Sequence, residues 1–205
     1  YEKYLSGEVR LAVYSSDSEL VTRALKQDEA AWEALVQQHQ EPVYRLSYLL
    51  LGDADEAEDN AQETFLRAYH ALDRYDPSYK FSSWIFKIAH NTALDLLRKK
   101  EPDTLSLEGS PHAATAAAAE ASTVSVASDA PSPEDYTAQK ELSGVLEAAI
   151  ALLRPEYRTA VVLCHLEGRA YEEIAEIMAV PLGTVKTYIH RARHELRGHL
   201  GHLRP

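Results

Sequence analysis

The sequence predicts an all-α protein made of two small helical domains joined by a flexible acidic linker. Three observations carry that expectation. Apolar residues recur at steps of three and four along nearly the whole chain, no alternating strand pattern appears, and the composition changes abruptly at residue 101. From there to residue 135 the chain reads EPDTLSLEGSPHAATAAAAEASTVSVASDAPSPED, with seven acids and no Lys or Arg. A segment so poor in large apolar side chains cannot offset its ordering entropy. The expected division is therefore an N-terminal extension or added remnant over 1–16, a helical domain over 17–100, the linker over 101–135 and a second helical domain over 136–205.

The elements follow in order. Leu20, Val21, Ala24 and Leu25 open one amphipathic stretch; Trp32, Leu35 and Val36 form the next, and Val43, Leu46 and Leu50 another. Ala57, Ala61, Phe65, Ala68 and Leu72 share one helical face, and Trp84, Ile85, Ile88 and Leu96 mark the last helix of the first domain. Beyond the linker, helices are expected near 138–153, 155–167, 171–178 and 181–200. Pro155 and Pro181 suit first-turn positions and Gly168 suits a C-terminal cap.

Composition excludes several classes. With 205 residues, 45% hydrophobic and 26% charged, the chain is globular, and no run approaches the roughly 20 apolar residues that span a bilayer. The N-terminal YEKYLSGEVRLAVYSSDS resembles neither a signal nor a transit peptide, so a cytoplasmic protein without membrane insertion is expected. The lone Cys164, among Val161, Val162, Leu163 and Leu166, reads as a buried thiol in a reducing compartment. Catalysis is disfavoured, for there is no phosphate-cradling glycine loop, no HExxH, no paired cysteines and no nucleophile elbow. No cofactor or metal is expected. His190 and His194 lie four apart but lack a third ligand, and the acidic opening at Asp53 lacks the central glycine of a calcium loop.

Three stretches carry candidate function. In YEEIAEIMAVPLGTVKTYIHRARHEL, residues 171–196, Ile174, Ala175 and Met178 suit a core face, Val185 and Ile189 anchor a second helix, and AVPLG supplies a sharp turn. Thr184, Lys186, Thr187, Tyr188, His190 and Arg191 then form an outward face, placed where a helix-turn-helix reads base edges. The solvated face of a packing module would share this spacing. In the second stretch, GDADEAEDNAQETFLRAYHAL, six acids fall between Asp53 and Glu63, and Asp55, Asp59, Gln62 and Glu63 lie opposite Ala61, Phe65 and Ala68. That face is either solvated or a docking surface for a basic partner. In the third, DPSYKFSSWIFKIAHNTALDLLRKK, aromatics are interleaved with cations, a combination that suits single-stranded nucleic acid. Trp84 shares a face with Ile85 and Ile88, which suits a core position better than a base platform.

Together, EAEDNAQETFLRAY, FSSWIFKIAHNTALDLLRKK and, after the linker, LRPEYRTAVVLCHLEGRAYEEIAEIMAVPLGTVKTYIHRARHEL resemble an extracytoplasmic-function (ECF, group 4) sigma factor of bacterial RNA polymerase. The resemblance covers about 17–100 and 138–200. It implies a transcription initiation factor that binds core polymerase and directs it to −10 and −35 promoter elements, with strand opening. It assigns Asp55, Asp59, Gln62, Glu63, Phe65 and Arg67 to docking on the β′ clamp helices, with the β flap as a second polymerase contact. It assigns Tyr79, Lys80, Phe81, Ser82, Trp84, Lys87, His90, Asn91 and Arg98 to the −10 element. Thr184, Lys186, Thr187, Tyr188, His190 and Arg191 would read the −35 element. The linker would thread towards the RNA exit path, and an anti-sigma factor is an implied partner of a chain that is monomeric when free. Two departures stand out: Asn60 and Ala61 fall where such sequences often carry larger aliphatics, and Tyr188 and His190 replace common recognition-helix types.

Charge sets one further expectation. The chain carries net charge −11, and from 136 to 205 nine Lys or Arg face eight acids, which allows few phosphate contacts. Free protein should bind promoter DNA poorly, gaining its grip when a larger enzyme holds the two domains at the right separation. A free-standing helix-turn-helix regulator is the competing expectation, with a palindromic site and a homodimer. Fusion of both domains into one core that walls off Lys186 to Arg191 would contradict the first expectation.

Overall fold

The structure, a computed structural model, describes residues 16–100 and 143–201; the expected extension, most of its length, and the linker fall outside them. Among the described residues every regular element is helical. Helix α1 spans Asp17–Ala24 and α2 spans Glu29–Leu51. Helix α3 spans Ala54–His70, a 3-10 turn covers Leu72–Arg74, and α4 spans Phe81–Lys100. The starts of α1 to α3 are written in the sequence. Ser16, Asp28 and Asp53 stand just before them, and their side-chain oxygens accept the N–H groups of Glu19 at 3.4 Å, Ala31 at 3.2 Å and Glu56 at 3.0 Å. Such caps contribute on the order of 1 kcal/mol each. Gly52, in the left-handed region at φ 74°, stops α2.

In the second module α5 is helical over residues 143–151, followed by α6 (Pro155–His165), α7 (Tyr171–Met178) and α8 (Leu182–His199). Pro155 occupies the first turn of α6 as expected, whereas Pro181 stands one residue outside α8 as its cap. Gly168 adopts φ 62° in the loop after α6, just beyond the capping Leu166.

Helix α2 is the spine of the first module. Leu35, Val43, Leu46 and Leu50 are fully buried, and the helix packs against α1, α3 and α4. The sequence pattern treats Trp32–Val36 and Val43–Leu50 as separate stretches, but the structure runs them together through Pro42. An interior proline costs about 3 kcal/mol. Here both stretches bury the same face in one core, which offsets that cost. Asn60, where an aliphatic was the expected type, is 1% exposed. It donates through Nδ2 to Ser47 Oγ at 2.8 Å and to the Ala89 carbonyl at 3.3 Å, so it ties α2, α3 and α4 together.

The modules, expected as separate bodies, lie face to face. Helix α7 packs on α4, α6 packs on α2, and one cluster of buried apolar side chains runs from Leu46 and Phe86 to Leu163 and Ile174. Polar contacts fix the register. Arg45 Nε meets Glu167 Oε1 at 2.8 Å, with the Glu167 side chain only 4% exposed. The Arg158 guanidinium donates to the Leu50 carbonyl at 2.7 Å and to the Leu153 carbonyl at 2.9 Å. It thus caps the C-terminus of α2 with a cation from the other module. Thr159 Oγ1 lies 3.3 Å from His90 Nδ1. Cys164 is half-buried rather than buried, and desolvation pushes its thiol up.

Two predictions concern stability. Ala179, in the turn between α7 and α8, has φ 53°, a conformation that strains an L side chain. Ala179→Gly should stabilise the chain by about 0.5–1 kcal/mol in urea unfolding. Burial, assisted by the nearby Arg98 charge, pushes the His90 imidazole down from 6.5 to about 4. The unfolded chain therefore binds a proton at a pH where the folded one does not. Stability is full above pH 6.5 and is lost as pH falls from 6.5 towards 4, by on the order of 3 kcal/mol at most. Urea midpoints measured across that window should fall steeply for the wild type and less steeply for His90→Asn.

Candidate functional surfaces

Helix α3 is amphipathic, but its outer surface has two distinct flanks. Asp55 and Asp59 are exposed on one. Glu63 and Arg67 pair at 2.6 Å over a helical turn and partly neutralise each other. Gln62 and the half-buried Phe65 instead line a groove of about 1040 Å³ between α2 and α3. Trp32, Val36 and Tyr44 form one wall and Ala61, Phe65, Leu66 and Tyr69 the other. Trp32 and Tyr69 meet at a ring-centroid distance of 5.2 Å. Asp28, Glu29, Glu41 and Glu58 complete the lining, so an apolar floor carries an acidic rim. Leu66, 57% exposed, and Tyr69, 45% exposed, are the residues that sequence reasoning missed. Their signal was present: 58, 62, 65, 66 and 69 form one helical stripe, displaced from the buried stripe of Ala57, Asn60, Thr64 and Ala68.

Helix α4 and the loop before it divide the nine residues assigned to the −10 element into two sets. Tyr79, Lys80, Lys87, Asn91 and Arg98 are exposed, and Trp84 is half-buried. Residues 80, 84, 87, 91 and 98 recur at helical spacing, so the exposed set forms one stripe of cations, one amide and one indole. Phe81, Ser82 and His90 belong instead to the buried side, at 1%, 6% and 3% exposure. Phe81 is an anchor: its ring lies 5.8 Å from Tyr75 and 5.7 Å from Trp84, so the aromatics set the tilt of the indole from below. The Tyr75 hydroxyl donates to the Tyr79 carbonyl at 2.5 Å and ties the loop to this cluster.

Helix α8 presents the third surface. Val185, Ile189 and Ala192 are buried, and Lys186, Thr187, His190 and Arg191 are exposed, while Thr184 and Tyr188 are half-buried. The contact between modules therefore leaves the recognition face open to solvent. The Tyr188 ring packs 5.5 Å from Tyr157, and the Tyr157 hydroxyl accepts a hydrogen bond from Arg191 Nη1 at 3.1 Å. Arg193, also exposed, donates to His165 Nε2 at 3.2 Å. Among the described residues no three His, Cys, Asp or Glu side chains converge to hold a metal, and no helix is long and apolar enough to cross a membrane.

The two modules match two families. Residues 35–102 match Sigma-70 region 2, and residues 143–196 match Sigma-70, region 4. Over 185 residues the chain is 39% identical to the ECF RNA polymerase sigma factor SigW of Bacillus subtilis (strain 168), covering 89% of this chain and 96% of that one. The chain belongs to the ECF sigma factors. As such it is an initiation factor that directs RNA polymerase to promoters. Solved structures share the fold of this sigma factor. CnrH in complex with the cytosolic domain of CnrY aligns with a TM-score of 0.66 at 24% identity, covering 91% of this chain and 98% of that one. The sigma factor RpoE in complex with the anti-sigma factor NepR from Bartonella quintana aligns at 0.59 and 21% identity, covering 82% of this chain and 96% of that one.

Proposed function

We propose a division of labour among the three surfaces of this sigma factor. The acid-rimmed groove between α2 and α3 docks on core polymerase at the β′ clamp helices. The stripe of Tyr79, Lys80, Trp84, Lys87, Asn91 and Arg98 takes the opened −10 strand. The α8 face reads the −35 element in the major groove. One observation carries this reading. The first module separates an apolar groove with a carboxylate rim from a stripe of cations beside an indole, and these suit different partners. The groove fits a helix with an apolar face and basic flanks. The stripe fits a phosphate backbone with an unstacked base, each stacked base contributing on the order of 1–3 kcal/mol.

In this reading Phe81, Ser82 and His90 support the −10 surface from beneath. In the second module Tyr157 holds the Arg191 guanidinium, which lowers the entropy that its fixation on DNA would cost. The β flap is the partner of the second module, and an anti-sigma factor, such as one of the fold neighbours carries, is a partner of the whole chain. The free protein works in the cytoplasm as a monomer, and polymerase performs the chemistry.

Run-off transcription with core enzyme on a promoter library should return two separated elements about two helical turns apart. A single palindrome, or activity without core enzyme, would refute the reading. Leu66→Glu places a charge in the apolar groove at an exposed position. It should weaken core-polymerase binding at least about tenfold, measured by fluorescence anisotropy, while urea stability stays within about 0.5 kcal/mol.

A further inference from the structure

Helix α6 packs on α8 and meets it with a polar side chain near each of its own ends. Tyr157, near the start of α6, accepts a hydrogen bond from Arg191, and His165, its last residue, accepts one from Arg193. Arg193 lies outside the face assigned to the −35 element. Lys186, His190, Arg193 and Arg197 recur at steps of four, three and four, so they share one flank of α8, and all four are exposed. At 1.5 Å per residue, Arg193 stands about 10 Å beyond Lys186. There a recognition helix has passed the base edges and meets the backbone.

The partner of Arg193 sets it apart. Arg67, Arg98 and Lys100 are each paired with a carboxylate. Arg193 Nε and Nη2 instead lie 3.2 and 3.1 Å from one imidazole nitrogen, His165 Nε2. Neither side chain is paired with a carboxylate among the described residues, so a phosphate arriving at Arg193 displaces no anion. With Nε2 as the acceptor, the ring is neutral and carries its proton on Nδ1. Burial, with the Arg193 charge added, holds the imidazole below its ordinary 6.5. The other titratable groups at this corner are Cys164 and Tyr171. Tyr171 hydrogen-bonds the Cys164 thiol, which burial pushes up and keeps protonated.

We propose that Arg193 and His165 form a backbone-phosphate site on this flank of α8, and that the imidazole takes up a proton when a strand phosphate occupies it. The guanidinium turns its N–H groups from Nε2 to the phosphate oxygens, and the protonated Nε2–H becomes a second donor to the same anion. Two adjacent cations repel each other in the empty site, and the phosphate charge offsets that repulsion. The occupied site therefore holds a proton at a pH where the empty one does not. Grip on DNA strengthens as pH falls through the ordinary histidine range. The contact carries no sequence information; it fixes the register of the base-reading residues. The proposal rests on the placement of α8 in the major groove.

Anisotropy of a fluorescein-labelled duplex pool of random sequence, bound by the full chain at low salt, reads phosphate contacts, because these are independent of sequence. Arg193→Ala should weaken binding at least about threefold and lower the slope of log affinity against log salt by about one. His165→Gln keeps an acceptor for Arg193 but cannot take up a proton. It should match the wild type at about pH 8 and bind at least about threefold more weakly at about pH 6, while His190 and His194 titrate in both proteins. Both positions are exposed, so urea midpoints near the wild-type value separate a lost contact from a lost fold. An unchanged salt slope in Arg193→Ala, or equal pH dependence in the wild type and His165→Gln, would overturn the site. Lys186→Ala and Arg191→Ala test the underlying placement separately. If both leave duplex binding unchanged, the α8 reading falls; if both weaken it while Arg193→Ala does not, only the phosphate site falls.

Discussion

The structure depends on the burial of α2. Its 23 residues carry apolar side chains on more than one side, so a single neighbouring layer cannot cover them. Helices α1, α3 and α4 cover it within the first module, and α6 covers more of it from the second. The helix also ends in carbonyls without intrahelical partners. At Leu49 and Leu50 those carbonyls receive the Arg158 guanidinium. A buried carbonyl left unpaired costs about 1–3 kcal/mol. The cation from the second module therefore completes the first, and the register of the two modules follows from where α2 stops.

Much of this was legible from local spacing. The stripe of Val185, Ile189 and Ala192 fixes which face of α8 turns inward, so the exposed quartet Lys186, Thr187, His190 and Arg191 could be named from periodicity alone. The first-turn Pro155 was legible for the same reason, since it acts within one turn of itself. What failed was any property set by a second surface. Phe81 and Trp84 were assigned together to the −10 element although helical spacing put Trp84 with the core; the structure buries Phe81 and leaves Trp84 half-buried above it, a difference of depth that no one-dimensional period encodes. Leu66 and Tyr69 look like ordinary helix surface until Trp32 and Tyr44 are brought opposite them. The partners of Arg45, Arg158 and Arg169 lie 122, 108 and 87 positions away in sequence, beyond the reach of any spacing argument.

Charge distribution reconciles an acidic chain with nucleic-acid surfaces. The net charge of −11 is an average over surfaces that never face the same partner. Acids concentrate around the groove rim and in residues 101–135, whereas α4 ends in Arg98, Lys99 and Lys100, and the exposed side of α8 holds Lys186, Arg191, Arg193 and Arg197. Some of that positive potential is already committed within the chain. Arg98 pairs with Asp95 at 3.2 Å and Lys100 pairs with Glu56. Each phosphate contact made with such a cation must first displace a carboxylate, so its net gain is smaller than for a free lysine. This favours specificity supplied on an enzyme that already holds the DNA over tight binding by the chain alone.

The chemistry of the module contact bears on whether it can open. Exposed charge pairs contribute little net stability, and buried ones contribute less than their Coulombic attraction, because water rewards each partner when they separate. Lys80 is 71% exposed, so its pair with Glu173 helps select a register more than it binds the modules. The Arg45–Glu167 pair is the deeper one; leaving the buried Glu167 alone in the closed form would cost several kcal/mol, whereas Arg45 also has Glu41 at 3.6 Å, and opening hydrates both members. The apolar patch beneath, including Leu163 and Ile174, supplies the attraction. An interface of this kind is specific in the closed state without being permanent. A partner that binds the two modules farther apart need only exceed the modest difference between apolar burial lost and ionic hydration regained.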